Sequence, residues 1–341
     1  NKDIQYTLYE IATNKLGFLP DDKINIGLIA IDNHTAGILG IFGNRTANKK
    51  TINNVLVKRH MASTMKPLID YLPYFEKTTA SPGEVVIDEE YNYSDGTSLK
   101  NWDSIYKGAI SLRQALRESR NIPALKIFKK TSKETKIETL SRLGLTVPNN
   151  LYEADAIGCG NGLYSLFEIS NAYLAFANNG KFKKASYILN DDPFLQVIKP
   201  SSAFFINSIL HDVFSKSKFV PKNTYMMAKT GQTNYDKRTA LKYNIPSNAT
   251  KESFVISYTK DITFGCYVGY DKIDSTSYLD RIKTQIPRTI MAYFMNKFQT
   301  NVGSPDTPSN IEKQKCIIKD NVLYLDESGI YEYFIKDALP P

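Results

Sequence analysis

Three short strings in this chain carry residue types that do nucleophilic chemistry: Ser63-Thr64-Met65-Lys66, Ser119-Arg120-Asn121 and Lys229-Thr230-Gly231. Together they supply a hydroxyl nucleophile, an amine three residues on, a second hydroxyl beside an amide, and a cation opening a Thr-Gly pair. Those are the parts needed to form and break an acyl ester on a serine. Residues i and i+3 share a helix face, so the Lys66 amine can reach the Ser63 hydroxyl. A lysine serves as base only when its pKa falls, and burial or a second cation both lower it. Lys229 is the candidate second cation. Ser119 could pass a proton between Lys66 and a leaving group, and Asn121 could donate its amide to a substrate carbonyl. Gly231 would leave room for an extended substrate backbone. The backbone N–H of Gln232, with that of Ser63, could form an oxyanion hole, each donor worth about 3–4 kcal/mol of barrier. Thr230 and Thr233 could hold a substrate carboxylate.

Each string alone has an ordinary explanation. Ser-x-x-Lys occurs four times, beginning at Ser63, Ser104, Ser215 and Ser257. Only the first is followed directly by a proline, Pro67; Arg59 stands four residues before it, and it leads into an apolar helical pattern. Ser-x-Asn occurs once and reads equally as a helix break with capping side chains. Lys-Thr-Gly occurs once and reads equally as an exposed turn after a strand. What favours chemistry is the set: a fixed order, separations of about 55 and 110 residues, helices between the first two strings and a strand at the third.

The elements that must position these strings follow from hydrophobic period. Residues 3–14 read as an amphipathic helix, and the apolar runs 24–31 and 37–42 as a β-hairpin. A polar loop follows over 44–50. Helical patterns dominate from about 60 to 180, over 63–75, 112–118, 122–130, 135–143 and 163–178, with Gly144 and Gly180 as stops. Strands return after 185, at 186–189, 195–198, 225–231, 253–258 and 262–270, with helices at 200–211 and 287–298. The runs 322–325 and 330–334 suit a small terminal hairpin. Strands at both ends and helices between them predict an α/β (α+β) fold, one antiparallel sheet flanked by helices with an inserted all-helical lobe. The predicted sheet draws on residues from about 20–45 and 185–300, and the lobe on about 60–180. Residues 1–300 are read as one domain, and 301–341 as a tail or a small appended hairpin.

Composition narrows the alternatives. The 341 residues carry a formal charge of +8, but Lys and Arg are scattered and no nucleic-acid module is recognisable, so a nucleic-acid partner is not expected. No apolar run is long enough to span a membrane. The opening at Asn1 shows no signal peptide, and a mature or trimmed chain is expected, with any anchor outside it. Cys159, Cys266 and Cys316 form no CxxC pair, and His34, His60 and His211 have no metal-ligand spacing, so no metal or cofactor is expected.

With its flanks, the motif set resembles the transpeptidase domain of class A (bifunctional) penicillin-binding proteins, within the serine acyl-transferase superfamily that includes β-lactamases. The likeness lies in RHMASTMKPL (59–68), SLRQALRESRNIPAL (111–125), GCGNGLYSLFEISNAYLAFANNG (158–180), KTGQTNYD (229–236) and FVISYTKDITFGCYVGYD (254–271), spread over about residues 1–300. The resemblance implies a five-stranded sheet sandwiched by helices. It implies Ser63 as acylated nucleophile, Lys66 as base, Ser119 and Asn121 in proton relay and substrate contact, and Lys229, Thr230 and Gly231 as the edge-strand motif. Gln232 departs from the family's usual Thr or Ser, which bears on carboxylate recognition, and Ala62 from its common Gly. The chain holds no glycosyltransferase domain. The function implied is D,D-transpeptidation of peptidoglycan stem peptides ending in D-Ala-D-Ala, at the extracytoplasmic face of a bacterial plasma membrane. β-Lactams would be inhibitors and wall-synthesis proteins possible partners. The alternatives are a D,D-carboxypeptidase or β-lactamase with water as acceptor, and a non-catalytic β-lactam sensor or scaffold.

Overall fold

The computed structural model describes residues 1–45, 52–215, 219, 224–247, 249–299 and 303–341. The polar loop expected over 44–50 lies mostly outside these residues. Asn1 caps helix α1 (Lys2–Ala12) by accepting the N–H groups of Asp3 and Ile4. The apolar face of α1, formed by Ile4, Leu8 and Ile11, packs beside the hairpin β1 (Ile24–Asp32) and β2 (Ile38–Phe42).

The segment expected as one helix over 63–75 is instead three geometries in series. A 3₁₀ turn (Ala62–Thr64) is followed by a π turn (Pro67–Tyr71) and then helix α2 (Leu72–Lys77). Pro67 and Pro73 stand where the geometry changes. Each lacks the N–H that a continuous helical ladder would need. Beyond them lie two small ribbons that the helical pattern did not reveal. β3 (Val85–Asp88) pairs with β6 (Gly108–Ser111), and β4 (Tyr91–Asn92) with β5 (Ser98–Leu99). Strands of two to four residues are too short to show alternation.

Helices α3 (Leu112–Arg117), α4 (Asn121–Lys129), α5 (Lys133–Arg142) and α6 (Leu166–Ala177) complete the lobe. Serines 111, 132 and 165 cap α3, α5 and α6. A two-residue pairing of β7 (Lys181–Phe182) with β8 (Leu195–Gln196) replaces the longer strand expected over 195–198. The strand expected over 186–189 does not form. Ser186 makes a single bridge to Gly37, and Tyr187, Ile188 and Leu189 are exposed. An apolar run becomes a strand only where a partner ladder is available, and that is a tertiary matter.

The chain then returns through α7 (Pro200–Asp212), β9 (Met227–Asn234), α8 (Lys237–Lys242), β10 (Thr250–Tyr258), β11 (Ile262–Tyr270) and α9 (Ile286–Phe298). The central sheet has five strands in the order β2-β1-β11-β10-β9, with every neighbouring pair antiparallel. Side chains of β10 alternate between two cores. Phe254, Ile256 and Tyr258 join Leu68, Tyr173, Phe176 and Phe205 of the lobe side. Val255 joins Leu8, Ile290 and Phe294 of the α1 and α9 side. Helices therefore cover both faces, as the fold class predicted. β9 is an edge strand, so one row of its backbone groups has no strand partner.

After α9, β12 (Ile311–Lys319), β13 (Val322–Leu325) and β14 (Ile330–Ile335) form a separate three-stranded sheet in the order β13-β12-β14. The two runs expected to pair with each other instead flank β12, whose stretch Glu312-Lys313-Gln314-Lys315 hides its strand character. This sheet docks on the lobe. Buried Glu332 takes two hydrogen bonds of 2.6 Å from Arg113, and Tyr333 meets Phe204 edge-on at 4.9 Å.

Candidate active site

Ser63 sits in the 3₁₀ turn, and neighbouring elements fix that turn tightly. Ala62 has a left-handed backbone, φ 49°. Its N–H donates to Gly158 O at 3.1 Å, and a Cβ on Gly158 would fall 2.0 Å from Ala62 O. The Tyr173 hydroxyl, from α6, donates to Thr64 O at 2.7 Å. On the other side runs β9, where a Cβ on Gly231 would meet Met61 O at 2.8 Å. The space that Gly231 provides is thus used by the nucleophile turn itself.

Ser119 stands at the break between α3 and α4 with φ 56°. The bend is held from behind by Arg120, whose side chain is fully buried. Its Nε donates to Asp88 at 2.9 Å and its Nη1 to Asp103 at 2.6 Å, and it also donates to Ile105 O. Asn121 is oriented on both ends of its amide: Nδ2 donates to Lys100 O at 2.8 Å, and Oδ1 accepts from Lys66.

Lys66 Nζ is buried and donates to Ser119 O and Asn121 Oδ1, both at 2.7 Å, and to Arg120 O at 3.2 Å. It lies 3.5 Å from Ser119 Oγ. All these contacts go to the 119–121 bend, and Ser63 is not among them. Lys229 Nζ, also buried, donates to Ser119 Oγ at 2.8 Å and to Thr230 O at 2.9 Å. The Ser119 hydroxyl therefore lies between two amines from elements far apart in the chain.

Burial lowers the pKa of both lysines. Lys66 falls to about 7: Asp70 and Cys159 oppose the fall, and Arg120 adds to it. Lys229 is pushed well below its usual range by burial, then by the charge of Lys66 and that of Arg288. Two adjacent buried ammonium groups are mutually unfavourable, so the pair makes an amine base available near neutral pH.

Ser63, Ser119, Asn121, Lys229, Thr230, Gly231, Gln232 and Thr233 all line one cleft of about 1420 Å³. Lys66 is not among the lining residues but is hydrogen-bonded to Ser119 and Asn121, which are. The nine sequence-derived site residues thus converge, though not all present the same group. The Thr233 hydroxyl donates to Glu252 at 2.7 Å. Three residues had no sequence signal. Arg120 and its acids are separated along the chain, and Arg288 lines the cleft from α9. Asp70, one turn past Lys66, is buried with neither carboxylate oxygen partnered among the described residues. Burial raises its pKa well above the carboxylate range, against the pull of Lys66 and Lys136. No group of three or more His, Cys, Asp or Glu that could hold a metal occurs among the described residues.

Residues 26–292 match the family model of the penicillin binding protein transpeptidase domain. The chain is 30% identical over 308 residues to penicillin-binding protein 1A/1B of Bacillus subtilis (strain 168), covering 83% of this chain and 34% of that protein. It spans about a third of the length of that curated relative, and less than half of penicillin-binding protein 1F of the same strain and of penicillin-binding protein 1A of two streptococci. Among solved structures it resembles penicillin-binding protein 1A from Haemophilus influenzae, with TM-score 0.75, 20% identity, and 94% of this chain and 54% of that chain covered. It also resembles the PonA1 protein from Mycobacterium tuberculosis in complex with penicillin V, with TM-score 0.74, 16% identity, and 91% and 87% covered. At these identities the structural likenesses show the fold.

Proposed function

The chain belongs to the penicillin-binding protein transpeptidase family, and on that premise we propose that it is a serine D,D-transpeptidase cross-linking peptidoglycan stem peptides. Ser63 Oγ attacks the carbonyl of the penultimate D-Ala and gives its proton to Lys66. The N–H groups of Ser63 and Gln232 hold the oxyanion, with Gln232 offered by the open edge of β9. Ser119 passes a proton from Lys66 to the leaving nitrogen, the C–N bond breaks, and the terminal D-Ala departs. An amine of a second stem then attacks the ester, and the Ser63 oxygen recovers its proton. Lys229 holds Ser119 in the relay. Asn121 contacts the substrate amide, and Thr230, Gly231, Gln232 and Thr233 form the strand side of the site.

The observation that carries this reading is the Ser119 hydroxyl, set between Lys66 and Lys229 in the cleft that Ser63 lines. The acids of that cleft favour an amine acceptor over water. Asp103 is paired with Arg120, Glu118 with Lys107 at 2.8 Å, and Asp280 accepts the backbone N–H groups of Ile282 and Lys283.

We further propose that residues 1–300 make up the catalytic domain, with 301–341 as an appended module. The site would work at the extracytoplasmic face of the plasma membrane, through an anchor outside this chain. No helix among the described residues is long and apolar enough to cross a membrane. β-Lactams would acylate Ser63, and wall-synthesis proteins would be partners. Mass spectrometry after incubation with benzylpenicillin tests the reading: a single adduct on Ser63, absent in Ser63→Ala, is expected. An unmodified wild-type Ser63 at high drug concentration would sink it.

A further inference from the structure

Several charged groups of the cleft take no part in the mechanism, and among them Arg288 is half-buried whereas Arg281, the other arginine there with no ion pair among the described residues, is exposed. Arg288, near the start of α9, lines the cleft with Thr230, Gln232 and Gln285. Its guanidinium has no acidic partner among the described residues. Nη1 donates to Gln285 Oε1 at 2.8 Å, and the group lies 5.9 Å from the Phe214 ring centroid. Arg45, Arg59, Arg113, Arg117, Arg120 and Arg142 by contrast each join an ion pair.

Strand alternation decides what Arg288 faces. Ala228 packs with Ile286, Ile290 and Met291 of α9, whereas Met227 packs on the lobe side. Successive side chains of a strand point to opposite faces. Thr230 and Gln232 therefore share the α9 face with Arg288, while Lys229, Gly231 and Thr233 face the lobe. Thr233, the other hydroxyl considered for an anion, already donates to Glu252. A carboxylate there would meet an acid. A half-buried guanidinium with only a neutral acceptor is under-compensated, and its planar fork matches a carboxylate.

We propose that Arg288, together with the Thr230 hydroxyl, recognises the free C-terminal carboxylate of the donor peptide, and the equivalent carboxylate of a β-lactam. This inference rests on the D,D-transpeptidase reading and makes Arg288 the charge-reading residue of a site whose Gln232 lacks the hydroxyl usual in the family.

The test compares benzylpenicillin with its methyl ester as acylating probes on the full chain, following Ser63 by mass spectrometry. Arg288→Gln is expected to slow acylation by benzylpenicillin roughly ten- to hundredfold while leaving the ester within about twofold of wild type. Arg288→Lys keeps the charge but loses the fork, so it is expected to slow acylation by the acid severalfold, less than Arg288→Gln, with the ester unchanged. Equal slowing of both probes, or an unchanged rate with the acid, overturns the inference. If Arg288→Gln does not fold, Arg288→Lys decides: a severalfold loss confined to the acid supports the inference, and any other pattern overturns it. A wild-type Ser63 acylated by neither probe sinks the transpeptidase reading instead.

Discussion

Lys229 Nζ donates to Ser119 Oγ at 2.8 Å, joining an edge strand to a helix break 110 residues earlier. The same hydroxyl lies 3.5 Å from Lys66 Nζ. Ser119 is thus the point at which the three separate strings meet, and its proposed relay role can be tested apart from the nucleophile.

Ser119→Ala removes the relay and leaves Ser63, Lys66 and the fold in place. General acid–base steps of this kind contribute roughly 10²–10⁴-fold. Acylation by a fluorescent penicillin, followed by stopped flow, should slow by about that factor, with the thermal midpoint little changed. A rate close to wild type would remove Ser119 from the path.

The amine of Lys66 must be neutral to accept a proton. Its pKa is lowered to about 7, so the fraction of free base falls as the pH drops through that value and levels off above it. The second-order acylation rate should show an acid limb centred near 7. Lys66→Ala should abolish nearly all acylation. A profile flat through the neutral range would contradict the base assignment.

Arg120 compensates Asp88, and both side chains are fully buried. Arg120→Met removes one partner and leaves a buried carboxylate unpaired. Breaking such a pair costs about 3–5 kcal/mol. Denaturant unfolding should show a loss of that order, and adding Asp88→Asn should recover part of it. The Ser119 bend would loosen as well, so acylation should fall alongside stability.

Gly158 has φ 70°, and a Cβ there would lie 2.0 Å from Ala62 O. Gly158→Ala should therefore displace the turn that carries Ser63. Backbone strain of this kind costs about 1–3 kcal/mol, before the clash is counted. Penicillin acylation should drop far more than that of Gly96→Ala, at an exposed turn where nothing lies within 4 Å of the added carbon.

Much of this protein was legible along the chain. The hairpin at 24–42, helix α7, strand β11 and the break between α3 and α4 follow from period, capping and turn residues, which are local properties. The order of the three strings also named the residues that now line one cleft. Spacing could not supply their electrostatics. The lowered pKa of Lys66 comes from its burial, and its Nζ is held by the 119–121 bend, more than fifty residues away. Arg120 carried no signal of its own between Ser119 and Asn121, because its partner Asp88 lies 32 residues away. Arg288 had no motif at all. Its place on the face of Thr230 came only from strand alternation in β9 and the packing of α9. The failures have the same cause. Residues 186–189 had the composition of a strand but no ladder to join, and β12 became the centre of a sheet despite its charged sequence. Local sequence fixes how a segment is patterned. Which segments meet, and how much water is left between them, depends on contacts between residues far apart in the chain.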